Sequence, residues 1–265
     1  MDHISGTAWR QFEEEGYANL GRVLDGEHLS NLQSRIDEIM LGEAELEYSK
    51  LLMQLDSETG KYEDAPEQSM GWKGKTLSYR KIQNLEIDPV FRAYMELPVF
   101  KDLCARIYGE DTPIACFRAM FMNKPAHQGT ELPWHQDAWA YLDRQPVLTV
   151  WTALDPATIA NGCVKAVPGT HKMGRINPSH TSGFLSPEQA AEICSKDKVV
   201  YLEAAPGEAL ALHNWLAHSS EVNRTEQSRR GFSVCYMDAR TVTSSGETYT
   251  RLFEGSTSGA LVGHT

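Results

Sequence analysis

The sequence predicts an α+β domain whose core is mainly β, and three observations carry that prediction. The first hundred residues place apolar side chains at three- and four-residue spacing, the period of amphipathic helices. From residue 114 onward, short apolar runs alternate with turn dipeptides such as Lys124-Pro125, Asn161-Gly162, Pro168-Gly169 and Pro206-Gly207. Many short strands joined by turns describe a sandwich or a barrel. Finally, 265 residues with 41% hydrophobic and 23% charged side chains suffice for a sizeable core and exclude a disordered or collagen-like chain.

Residues 7–16 and 27–42 are expected to be helices, the second from the spacing of Leu29, Leu32, Ile36, Ile39 and Met40. Residues 43–79 are polar and weakly patterned, with Gly60, Pro66, Gly71 and Gly74, and are expected to form a long loop or flap. Asp88-Pro89 has the form of a helix cap with proline in the first turn, opening a helical stretch to about Ile107. The runs IACFRAMFM, VLTVWTAL, CVKAV, VVYLEA, EALALH and GFSVCYM are the expected strands. Between them, residues 184–196 form a helical insertion with Ser186-Pro187 as its cap, and the Ser/Thr/Gly-rich tail after 240 is expected to be irregular. The organisation expected is one domain over 1–265: 1–110 mainly helical, 111–240 the barrel core, 241–265 a tail.

The 25 Lys+Arg against 36 Asp+Glu give a net charge of −11, which argues against nucleic acid as a partner. No apolar run approaches the ~20 residues that span a bilayer, so no membrane partner is expected. The N-terminus carries Glu13, Glu14 and Glu15 and no apolar signal-peptide region. The five cysteines are odd in number, scattered and without a CxxC pair, which fits a reducing cytoplasm.

The chemistry concentrates in Pro133-Trp134-His135-Gln136-Asp137. Residues two apart on a strand share a face, so the imidazole and the carboxylate converge. They form two-thirds of a triad of two histidines and one carboxylate, which leaves positions open on Fe(II). On its own an HxD pair is weak evidence. The third ligand has to come from His171, His180, His213, His218 or His264. His213 and His218 are five apart, so on one continuous strand they face opposite ways and only one can serve. Spacing alone does not choose; His213 is read as packing beside the site.

The segments YRKIQN (79–84), FMNKPAHQG (121–129), LPWHQD (132–137), VWTALDPATIANGC (150–163), VPGTHK (167–172) and HSSEVNRTEQSRRGFSVCY (218–236) resemble the phytanoyl-CoA dioxygenase family of Fe(II)/2-oxoglutarate oxygenases. The resemblance runs from about Tyr79 to Met237, more loosely into the N-terminal helices. It implies a double-stranded β-helix, a jelly-roll- or cupin-like barrel, with flanking N-terminal helices. It implies His135, Asp137 and His218 as catalytic metal ligands, and Arg229, with Ser220, as the grip on the far carboxylate of 2-oxoglutarate. Lys81, Met120 and Trp151 match positions lining the cosubstrate pocket. Fe(II), 2-oxoglutarate and O₂ are the implied cofactors. The implied reaction hydroxylates or otherwise oxidises a small-molecule metabolite, with release of succinate and CO₂. A carboxylate at Asp137 favours hydroxylation over halogenation, because halogenating relatives carry a small residue there.

Arg230 is expected to face solvent or serve structure. Trp139 shares the phase of His135 and Asp137 and is a candidate for substrate contact, as are Arg144 and Arg175 near the expected mouth. His127 and His180 read as surface residues, His171 as a turn residue, Cys163 and Cys235 as small buried hydrophobes. Substrate specificity is expected in 43–79, 138–146, 173–185 and the tail. Two rival readings stand beside the oxygenase: a cupin-type metalloenzyme that does not use 2-oxoglutarate, and a non-catalytic metal-binding sensor.

Overall fold

A computed structural model of the chain describes residues 4–244 and 246–255. Ser5 opens α1 (Gly6–Glu15) by accepting from the Ala8 N–H at 3.1 Å, and Gly16 closes it in the left-handed region at φ +85°. Asp25 caps α2 (Gly26–Leu41), which buries Leu29, Leu32, Ile36, Ile39 and Met40. Asp88 accepts from the N–H groups of Val90 and Phe91 and starts α3 (Pro89–Met95). α4 (Pro98–Tyr108) follows at once. The single helical stretch expected to Ile107 is thus two helices. Pro98 biases Leu97 out of the helical region and divides them. Ser186 caps α5 (Pro187–Ile193), inside the helical insertion expected at 184–196.

The strands form two antiparallel sheets. The larger contains β1 (Tyr17–Arg22), β2 (Leu52–Leu55), β3 (Ser69–Met70), β4 (Tyr79–Gln83), β5 (Ile114–Lys124), β7 (Leu148–Ala153), β10 (Glu208–His213), β12 (Arg229–Asp238) and β13 (Arg251–Phe253). Its order is β1-β10-β7-β12-β5-β4-β2-β3, with β13 also on β5. The smaller runs β6 (Leu132–His135), β11 (His218–Ser220), β8 (Val164–Ala166), β9 (Val200–Leu202).

Strand alternation gives the larger sheet two distinct faces. Ala119 and Phe121 of β5 and Phe232, Val234 and Tyr236 of β12 pack with Ile36, Ile39, Phe91 and Phe100 from the helices. Phe91 and Phe232 meet at 4.7 Å between ring centroids, and each such fully buried ring contributes about 1.5–3 kcal/mol. The alternate residues, Arg118, Met120 and Met122 of β5 and Arg229 and Ser233 of β12, line a cavity between the sheets.

Three further segments depart from the sequence expectation. Residues 43–79 are not one loop: β2 and β3 lie within them, and β2 pairs with β4. In β2 only Met53 is fully buried, so no alternation was there to read. β1 went unseen for the same reason, since Ala18 is its one buried residue. The tail contributes β13, which pairs with β5; its residues 256–265, His264 included, lie outside those described.

Candidate active site

The smaller sheet brings His135, Asp137 and His218 together. One ligand atom from each lies within 4.8 Å of the others. His135 ends β6 and His218 begins β11, and the two are register partners. Asp137 stands two residues past the end of β6. Its N–H donates to Asn214 O at 2.7 Å, and the Gln136 N–H donates to Gly183 O at 3.0 Å. These bonds carry the alternation beyond the strand.

Both imidazoles are held at Nδ1 by a backbone carbonyl. His135 Nδ1 lies 2.8 Å from Pro133 O, and His218 Nδ1 lies 2.9 Å from Leu216 O. A carbonyl only accepts, so Nδ1 carries a hydrogen and Nε2 is the ring nitrogen left without a backbone partner. A backbone carbonyl orienting the far ring nitrogen is the usual outer support of a histidine that binds metal. Burial, reinforced by the neighbouring His218, pushes His135 down to about 3, so the ring is neutral at physiological pH. Two imidazoles and one carboxylate fit a divalent first-row metal.

Arg229 opens β12 at one end of the same cavity. It is 3% exposed, and its Nε and Nη1 have no hydrogen-bond partner. Burial lowers it to about 10, so it stays charged at neutral pH. A charged, buried fork with unused donors is complementary to a carboxylate. Its guanidinium lies 5.4 Å from the Trp151 ring centroid. Gly231 gives that ring its place: a Cβ there would stand 2.4 Å from Trp151 Cζ2. Ser220, Lys81, Met120 and Trp139 line the same cavity. Burial, together with Arg118 and Arg80, lowers Lys81 to about 7.

Other expected residues lie elsewhere. Arg144 pairs with Asp238 at 3.1 Å and also faces Asp143, and Arg175 donates to Pro178 O; neither lines the cavity. Arg230 pairs with Asp155 and Asp37 and serves structure. His213 packs against His171 and Phe12, away from the cavity. The parity argument for choosing between His213 and His218 does not apply, because one ends β10 and the other begins β11 in the second sheet. His171 Nε2 lies 3.2 Å from Glu13 O, while His127 and His180 are exposed.

Several lining residues escaped the sequence reading. Lys124 is 3% exposed and donates from Nζ to Thr130 O at 2.5 Å; burial, with Arg229 beside it, holds its amine well below the usual lysine range. Phe184 stacks on His135 at 5.2 Å between centroids, and Tyr62 meets Phe184 at 5.2 Å, so two loops converge beside the triad. Asn223 donates to Lys124 O, Pro125 O and Gln227 O, fixing the connection that delivers Arg229.

A family model described as phytanoyl-CoA dioxygenase matches residues 12–231. The chain is 27% identical to the probable phytanoyl-CoA dioxygenase of Caenorhabditis elegans over 88% of this chain and 75% of that one. It is 31% identical to phytanoyl-CoA dioxygenase domain-containing protein 1 of Mus musculus, over 69% and 62%. With phytanoyl-CoA dioxygenase of Arabidopsis thaliana, identity is 27% over 60% of this chain and 57% of that protein. The last two matches thus span less than two-thirds of the relative. Among solved structures, EctD from S. alaskensis with 2-oxoglutarate and 5-hydroxyectoine superposes with a TM-score of 0.70 at 18% identity, covering 95% and 80%. The non-heme alpha ketoglutarate dependent carbocyclase SnoK gives 0.67 at 18% identity, covering 91% and 86%. At these identities the likeness is one of fold.

Proposed function

Because the chain belongs to the phytanoyl-CoA dioxygenase family, we propose that it is an Fe(II)- and 2-oxoglutarate-dependent dioxygenase acting on a small-molecule metabolite. One observation carries the reading: a buried arginine with two unpartnered donors shares a cavity with a His–Asp–His triad. The triad answers the metal and the arginine answers the far carboxylate of the cosubstrate. A cupin-type enzyme without 2-oxoglutarate has no use for that guanidinium.

In this reading His135, Asp137 and His218 hold Fe(II), with the Pro133 and Leu216 carbonyls orienting the imidazoles. Arg229 and Ser220 receive the C5 carboxylate of 2-oxoglutarate, and Lys81, Met120 and Trp151 border it. When bound, iron with 2-oxoglutarate and O₂ supplies the oxidation, releasing succinate and CO₂. The protein orients the cosubstrate through Arg229 and excludes water with Phe184, Trp151 and Met120. Asp137 keeps a carboxylate where a halide would need room, which favours hydroxylation over halogenation. Among the described residues no helix is long and apolar enough to cross a membrane. A cytoplasmic location is part of the proposal and rests on five free cysteines, four of them buried.

The test is anaerobic titration with Fe(II) and 2-oxoglutarate, watching for the weak visible charge-transfer band of the chelate. The band should form, and Arg229→Ala should lose it at limiting 2-oxoglutarate. Iron binding without a band would return the assignment to a cupin-type enzyme.

A further inference from the structure

The cavity is strongly cationic in an acidic chain. Arg80, Lys81, Arg118, Lys124 and Arg229 line it against a single lining carboxylate, Asp137, although the whole chain carries −11. A divalent metal and a doubly charged cosubstrate cancel each other, so an excess of positive charge remains once both are seated. Of these five basic groups, Lys81, lowered to about 7, is only partly charged at neutral pH, and three others have other engagements. Arg229 is assigned to the cosubstrate, Lys124 donates to Thr130 O, and Arg80 donates to Gln54 Oε1 at 2.8 Å and lies over the Tyr62 ring.

Arg118 has no such engagement. Among the described residues nothing accepts a hydrogen bond from it and no carboxylate pairs with it; its guanidinium lies 4.8 Å from the Trp139 ring centroid and 5.1 Å from that of Phe117. A guanidinium held by its flat face keeps its edge donors free for a planar bidentate partner.

The strand registers place this group. Along β5, Lys124 stands opposite Arg229, Met122 opposite Gly231, Met120 opposite Ser233 and Arg118 opposite Cys235. On the facing sheet Leu132 pairs with Ser220 and His135 with His218, and Asp137 and Trp139 follow. The order along the cavity is therefore Arg229 and Ser220, then the triad, then Trp139 and Arg118. Six residues of strand, about 20 Å, separate Lys124 from Arg118, and the metal ligands lie between. The cavity holds about 210 Å³, below the about 300–1,000 Å³ of sites for drug-sized ligands.

We propose that Arg118 anchors the primary substrate, a small molecule that bears a carboxylate and docks it on the guanidinium edge at the end of the cavity opposite Arg229. This rests on the oxygenase reading above. The anchor fixes the molecule by its charged end and lays its carbon skeleton over Trp139 toward the triad. A long apolar acyl chain matches neither the charge nor the volume.

The experiment is calorimetric titration under anaerobic conditions, with no turnover, of protein loaded with Fe(II) and 2-oxoglutarate. The probes are a panel of amino acids, N-acylamino acids and hydroxy acids, each run beside its own primary amide. At least one carboxylate should bind about tenfold or more tighter than its amide. Arg118→Gln should erase that preference while 2-oxoglutarate affinity stays unchanged, which also reports an intact fold. Arg118→Lys should retain part of it. Equal binding of acids and amides to the wild type, or a preference that survives Arg118→Gln, overturns the proposal. The 2-oxoglutarate titration run first reports separately on the parent reading, and the panel run without cosubstrate still reads the anion preference should that titration fail.

Discussion

His218 stands opposite His135 across the β6–β11 ladder, with their imidazole centroids 4.1 Å apart and each Nδ1 tied to a carbonyl two residues back in the chain. In the proposed reading the two rings, each with its Nδ1 tied to a carbonyl, form a metal seat that exists before the metal arrives. Losing an outer partner of a metal ligand typically costs 10–100-fold, and losing a ligand should cost more than this roughly 100-fold. His135→Ala and His218→Ala should each reduce Fe(II) affinity and 2-oxoglutarate turnover by more than about 100-fold, with circular dichroism unchanged. Full turnover in either variant would remove the triad from the mechanism.

Arg229 predicts opposite effects on stability and on function. Its buried, unpartnered donors destabilise the free protein, at about 1–3 kcal/mol per unsatisfied group. Arg229→Met fills similar space without charge. The variant should melt several degrees higher than the wild type in the absence of ligand. It should also lose the stabilisation that 2-oxoglutarate gives the wild type. Truncating one side of a buried charge pair costs about 2–5 kcal/mol, so the KM for 2-oxoglutarate should rise at least about 30-fold. A lower melting temperature in the free variant would mean that Arg229 is a structural residue.

Gly231 lies under Trp151, and its substitution tests whether that ring shapes the cosubstrate pocket. The Cβ of Gly231→Ala would lie 2.4 Å from Cζ2 and 2.7 Å from Cε2. The indole must move into the cavity or the strand must shift, an overpacking cost of about 1–3 kcal/mol. The variant should bind Fe(II) normally and 2-oxoglutarate weakly, read by paired titrations. Equal loss of both would point to general damage to the sheet.

What the sequence disclosed follows from what each signal needs. β5 and β12 are long, apolar and buried on both faces, so composition marks them. β1 and β2 have one buried residue each and are held by their neighbours, β10 and β4, which no local pattern encodes. The HxD pair was legible because His135 and Asp137 are two apart, and a two-residue offset survives the end of β6; His218 followed only from the family resemblance. Arg118 and Lys124 share the β5 face with Met120, yet nothing in the local pattern tells which face of that strand lines a cavity. Only the second sheet, folded over that face, makes them lining residues. Arg144 and Arg175 stand outside the cavity lining, and Asp238 pairs with the first of them.

His213 gives the protein an acid-sensitive joint outside the cavity that holds the His–Asp–His triad. Its Nδ1 accepts from the Trp215 N–H at 3.0 Å, so the folded state holds the neutral ring with its hydrogen on Nε2. Protonation at Nδ1 would break that bond. Burial, assisted by the nearby His171, lowers the group to about 4, whereas an unfolded histidine titrates near 6.5. Below about pH 6.5 the unfolded chain therefore takes up a proton that the folded chain refuses. Stability falls as the pH drops, until the folded ring also protonates near 4. The interval of about 2.5 pH units sets an upper bound of about 3 kcal/mol on this contribution. His213→Gln keeps an acceptor for Trp215 and removes the titration. Denaturant melts of the two proteins should agree closely at pH 7.5 and diverge steadily toward pH 4, with the variant the more stable at acid pH. Parallel curves over that range would show that His213 protonates as readily folded as unfolded, and that its bond to Trp215 does not hold the ring neutral.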